Sequence, residues 1–179
     1  LRDGYSSLRD QRLKEEGERR KSFEDNPYPS WDRLREEDRE QAPELQIEIR
    51  NAAGETVRRI TGPTAKGLHR VAWNLRTPAP DPVELGGGGF RSPWDSEPQG
   101  VFVAAGTYTA QLYKRVRGER TALAEPVAFT VKPMDRGLFR PDSLETHAET
   151  MQAAADLSRA VQGSGRALGW LNERASHVD

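Results

Sequence analysis

The run Leu45-Gln-Ile-Glu-Ile-Arg50, with Asn51-Ala-Ala-Gly-Glu55 and Thr56-Val-Arg-Arg-Ile-Thr61 behind it, decides the fold of this chain. Leu45, Ile47 and Ile49 alternate with Gln46, Glu48 and Arg50, a period of two that suits a half-buried strand and no helix. Gly54 is free to take the positive φ of a tight turn, so the second run is expected to return as the partner strand. Gly62-Pro63 ends it.

The same period continues downstream. Gly67–Arg76 (GLHRVAWNLR) is expected to be a strand with His69, Val71, Trp73 and Leu75 on one face. Residues 105–116 (AGTYTAQLYKRV) send Tyr108, Ala110 and Leu112 inward, and 126–133 (PVAFTVKP) close with Val127, Phe129 and Val131. Strands separated by turns and without helices between them predict an antiparallel β-sandwich over 44–133, interrupted by a long Gly-rich loop at 76–105. Its expected core includes Ile47, Val71, Trp73, Tyr108, Leu112 and Phe129.

The flanks have a helical period. Residues 1–43 form a charged arm with two expected helices. The first covers about 5–20 and is capped by Ser6 or Ser7. The second is capped by Ser30, runs to Glu40, and has Trp31 and Leu34 on its buried face. From 134 to 179, Asp142 or Ser143 caps a helix whose stripe includes Leu144, Met151, Leu157 and Val161 and resumes at Leu168, Leu171 and Val178. Gly163-Ser-Gly165 between the two halves suggests a break, hence a C-terminal helical hairpin or one long kinked helix.

Composition limits the function classes. Apolar residues are 35 % and charged residues 31 % of 179, so the core is modest and part of the chain is expected to bury against a partner. A net charge of -1 gives no footprint for nucleic acid, and no apolar run is long enough for membrane insertion. With no cysteine and three scattered histidines, the sequence offers no zinc-type ligand set and no cofactor motif. Leu1 stands where an initiator methionine would, which suggests a piece of a longer protein.

The loop holds the sites worth weighing. Gly86–Gly89 is followed by no helix and no Lys-Ser/Thr, so it lacks the parts of a phosphate loop. Phe90, Arg91, Trp94 and Phe102 could stack on and hydrogen-bond a sugar or peptide; the competing reading is that these rings pin the loop down. Asp81, Glu84, Asp95 and Glu97 are the only acids in a setting that suggests glycoside hydrolysis, which needs two carboxyls at fixed separation.

The residues also carry a resemblance. The strand ending in Ala-Ala-Gly-Glu-Thr-Val-Arg58, then Gly67…Val71-x-Trp73-Asn-Leu-Arg76, then Ala105-Gly-x-Tyr108…Leu112, resembles the Ig/FnIII-like module of flagellar-hook-cap type at the C-terminus of bacterial sortilin-like (VPS10-like) β-propeller proteins. The flanks, PYPSWDRLREE and PDSLETHAETMQAAADLSRAV, are similar as well. Some members have Asp where this chain has Asn74. The resemblance implies a non-catalytic accessory module of a secreted or periplasmic protein, contacting its propeller or another protein. The alternatives are a carbohydrate-binding module using the 86–102 aromatic loop and a glycoside hydrolase fragment.

Overall fold

The computed structural model describes residues 1–82, 92, 94, 98–134 and 144–176. It contains an antiparallel sheet of five strands and three helices, in the order α1 (Leu8–Lys21), α2 (Trp31–Arg39), β1 (Glu44–Arg50), β2 (Thr56–Gly62), β3 (Gly106–Val116), β4 (Glu119–Ala122), β5 (Val127–Val131) and α3 (Leu144–Ala175). The sheet is open, with path β2-β1-β3-β4, and β5 also pairs with β3. By contact density the chain divides into two compact units, 1–72 with 108–129 and 73–107 with 130–179.

In the first unit β1 is central. Ile47 faces Ile60 on β2 and Leu112 on β3, and Glu48 faces Arg59 and Gln111. Arg50 faces Thr56, so Val57 is the extra residue of a bulge beside the turn. Gly54, at φ 81, takes the left-handed conformation that the turn requires. The alternation of β1 therefore sorts the sheet into an apolar face and a polar face. On the apolar face Leu45 and Ile49 are 2 % and 3 % exposed, and Tyr108 stacks on Phe129 with centroids 6.0 Å apart. Its cover is thin. Val71 approaches Gly62, Lys114 lies over the Tyr5 ring, and the N-terminal residues hold to 64–67 through the Tyr5 N–H to Thr64 carbonyl bond and a reciprocal Leu1–Gly67 pair. Ile47, Val71, Leu112 and Phe129 are half-buried.

The arm forms its helices near the expected places. Ser7 and Asp10 make a reciprocal capping box, and Ser30 caps α2 by accepting from the Arg33 N–H. Between the helices Arg12 donates to both oxygens of Glu37 at 2.7 and 2.8 Å and to Glu16 at 2.7 Å. That pairing holds Glu37 below the usual carboxylate range. Trp31, expected on a buried face with Leu34, is instead 71 % exposed. Ion pairs from Arg12 to Glu37 and from Arg33 to Glu15 join the two helices, and the indole stays in solvent.

Two further expectations are corrected. Residues 67–75 form no strand and join no ladder, and Arg76 makes an isolated bridge to Phe102. Alternation assigns side chains to faces, but a strand also needs a neighbour's amides, and this segment lacks one until Arg76. His69 and Leu75 are exposed, while Val71 and Trp73 are half-buried. The C-terminal hairpin is one continuous helix of 32 residues. Gly163 and Gly165 together weaken a helix by roughly 2 kcal/mol, too little to break one with long flanks and no proline. The Ser164 hydroxyl donates to the Ala160 carbonyl within the unbroken ladder. Val178 lies outside the described residues.

Candidate functional sites

The second unit closes the base of the long loop with a clamp built from Trp73, Asn74, Leu75 and Arg76. The Trp73 indole N–H donates to the Arg76 carbonyl at 3.0 Å, and Asn74 Oδ1 accepts from the Arg76 N–H at 3.2 Å. An aspartate would accept equally well, so the Asn at this position keeps the turn. Leu75 takes a left-handed φ of 58, which aims Arg76 across to the returning strand. There the Arg76 guanidinium lies 3.7 Å from the centroid of Phe102 and donates to the Gly100 carbonyl at 2.8 Å. Backbone bonds from Thr77 to Val101 and from Val103 to Leu75 complete the closure. Gly100 is required by space, since a Cβ there would collide with the carbonyl oxygens of Thr77 and Pro78.

Beside the clamp is an open groove of about 590 Å³, lined by Phe102, Val103, Met134 and Met151, with Arg76 and His147 among its polar groups. Of the two expected ligand-binding residues that are described, Phe102 lines it and Trp94 does not. Trp94 is 92 % exposed, and Phe90 and Arg91 lie outside the described residues. Of the four acids near the loop, Asp81 is exposed, whereas Glu84, Asp95 and Glu97 lie outside the described residues. Sequence reading had not marked Arg76 as a contact residue. Its signal was the Trp-Asn-Leu-Arg run, whose partner is 26 residues away.

The polar face of the sheet holds the second cluster. Glu48 is 1 % exposed, the most buried of the described charged residues. Arg50 donates to Oε1 through Nε and Nη2 at 2.8 and 2.6 Å; Arg59 and Arg120 donate to Oε2 at 2.9 and 2.7 Å. Burial pushes this carboxyl up, but the bonds from Arg59, Arg50 and Arg120 outweigh it and hold the pKa at about 2. Arg120 is itself braced 3.6 Å over the Tyr113 ring. Next along the face, Glu44 accepts from Gln46, Thr61 and Arg115 and is also held low, chiefly by the first two bonds. A carboxylate with both oxygens occupied by guanidinium donors is a poor base and no acid at neutral pH, so this cluster fastens strands together.

A third feature is the outer surface of α3. Leu157, Val161, Leu168 and Leu171 share one face of the helix and are 55 to 67 % exposed. The inner side differs. Ala155 is buried, and Arg166 donates to the Pro82 carbonyl at 2.9 Å. Among the described residues no group of three or more His, Cys, Asp or Glu is arranged to hold a metal ion, and no helix is long and apolar enough to cross a membrane. Comparison with protein-family models, with curated proteins and with solved structures finds no match to this chain.

Proposed function

We propose that the chain is a non-catalytic protein-interaction module that docks through the outer face of α3. The observation that carries this reading is the row of four large apolar side chains left in solvent on a 32-residue helix. Solvent-facing apolar rows of this size mark protein contacts. The five-stranded sheet is read as one layer of an Ig-like sandwich. The module is read as the accessory C-terminal part of a secreted or periplasmic bacterial propeller protein of the sortilin-like kind. Its partner is then that propeller or another protein. Among the described residues, the carboxyls with a displaced titration, Glu37, Glu44 and Glu48, are displaced downward, so none of these three has the raised pKa of a general acid.

A photo-cross-linking residue at Leu168, in the chain within its parent polypeptide, tests the docking reading. The expected result is cross-linking from Leu168 to a protein surface and none from Arg159 on the opposite face. Equal yields at the two positions, or none at either, would refute it. Hydrolysis of an aryl glycoside that disappears in Asp81→Asn would refute the non-catalytic part. A second reading, glycan binding, is favoured by one observation, the groove at Phe102. A saturable fluorescence change on glycan titration, lost in Phe102→Ala, is its signature.

A further inference from the structure

The exposed row on α3 also fits the spacing of a helix–helix seam. Val161, Leu168 and Ala175 recur at intervals of seven, and Leu157, Ser164 and Leu171 recur at seven with a constant offset of four before the first set. This is the alternating four-three spacing of a coiled-coil seam, which keeps its line along a neighbouring helix only by supercoiling with it. A second helix laid along the row fits this spacing. All six residues lie in the continuous helix and all are exposed.

We propose that the occupant of this seam is a second copy of the same helix, so that the chain self-associates through Leu157–Ala175. The proposal rests on the interaction-module reading above and names its partner. Charge is the first support. The positions flanking the seam are Ser158, Ala160, Gly165 and Ala167, with Asn172 and Arg174 only at the end, whereas Asp156, Arg159, Arg166 and Glu173 lie away from it. In coiled coils the flanking positions select a foreign partner by opposite charge and reject a like helix by repulsion. Here they do neither, and their small side chains let two backbones approach closely. The second support is access. Among the described residues, the contacts of α3 with Pro82, through Arg166 and beside Gly163, are on the side away from the seam.

Area sets the strength. Nineteen residues span about 28 Å, and a contact strip about a third of the way round a helix roughly 12 Å across gives roughly 350–400 Å² per copy. A total of roughly 700–800 Å² is small for a specific pair, so the association is a weak one.

Sedimentation velocity of the whole chain from about 1 to about 500 μM reads a weak monomer–dimer equilibrium directly. The expected result is a concentration-dependent monomer–dimer shift. It should be lost, or weakened at least about tenfold, in Val161→Lys/Leu168→Lys, since two charges are then desolvated per helix. Both residues are exposed, so far-UV circular dichroism should be unchanged; if it is not, Val161→Ser/Leu168→Ser serves as the second variant. Arg159→Glu, on the other face, should dimerise as the native chain does. A native chain that stays monomeric throughout overturns the proposal, as does a dimer that the seam variants weaken less than about threefold. If the chain is monomeric yet Leu168 still cross-links to a different protein, self-association fails and the interaction-module reading stands; if both are absent, both fail.

Discussion

Replacing Glu48 by glutamine keeps the shape of the side chain and removes the charge that three arginines surround. The displacement of its pKa from 4.5 to about 2 corresponds to roughly 3 kcal/mol of stability, at about 1.36 kcal/mol per pH unit. The arginine side chains are 34 to 58 % exposed, so solvent screens part of this, and about 2 kcal/mol is the expected loss in Glu48→Gln near neutral pH. The sign fixes the pH window. Because the folded pKa is depressed, the contribution is complete above about 4.5 and is lost as pH falls through about 2. The helix signal would mask the sheet in circular dichroism, so the assay is amide hydrogen exchange at Ile47 and Ile49 on β1. Native protection at these amides should fall steeply between about pH 4.5 and 2, while Glu48→Gln starts lower and falls less. A variant within about 0.5 kcal/mol of the native chain at neutral pH, or one with the same acid limb, would refute the reasoning.

Three further outcomes follow from the same geometry. Gly163→Ala/Gly165→Ala should stabilise α3 by roughly 1–2 kcal/mol, because a Cβ at Gly165 meets nothing within 4 Å and one at Gly163 meets only Pro82 at 3.8 Å; a lower thermal midpoint by circular dichroism would return the glycines to a hairpin turn. Gly100→Ala should open the clamp at a cost of roughly 2–4 kcal/mol, read as lost amide protection at Thr77 and Val103, and unchanged protection there would contradict the close approach. Leu45→Ala should cost about 2–5 kcal/mol in β1 exchange because the side chain is 2 % exposed, and a cost below about 1 kcal/mol would mean that the apolar face is not the core.

The hairpin at 45–61 was legible because two signals coincide there, a period of two and a glycine that the turn needs. The caps at Ser7 and Ser30 were legible for a similar reason, since capping is a local contest between a hydroxyl and water for a backbone N–H. What periodicity could not supply was register. That Glu48 would be enclosed depends on Arg59 and Arg120 arriving from β2 and β4, and nothing in β1 encodes their alignment. The segment 67–75 had the alternation of a strand but no neighbouring ladder, and its run Trp73–Arg76 proved to be a turn whose partner is 26 residues on. The glycines of α3 were misjudged on magnitude: a cost of roughly 1 kcal/mol each is real but small beside a long helix with no competing turn.

These misreadings share a physical origin in how little apolar material the chain has to place. At 35 % apolar, one face of the sheet takes most of what is buried: Leu45, Ile49 and Tyr108, with Ile47, Leu112 and Phe129 half-buried around them. The other face is closed by guanidinium groups laid over Glu48, which remove a carboxylate from water without needing a second apolar layer. Removing one partner from such an arrangement is more damaging than the arrangement is stabilising, since it leaves buried charge uncompensated. This makes the polar face a device for fixing strand order more than a source of stability. The helix then becomes the informative exception. A chain short of apolar residues nevertheless leaves more than half of each of Leu157, Val161, Leu168 and Leu171 in solvent in the isolated copy. That surface is buried only when a second helix covers it, so the stability of the last two turns of α3 should rise with protein concentration. Amide exchange at Leu168 and Leu171 that is independent of concentration would separate the seam from any role in assembly.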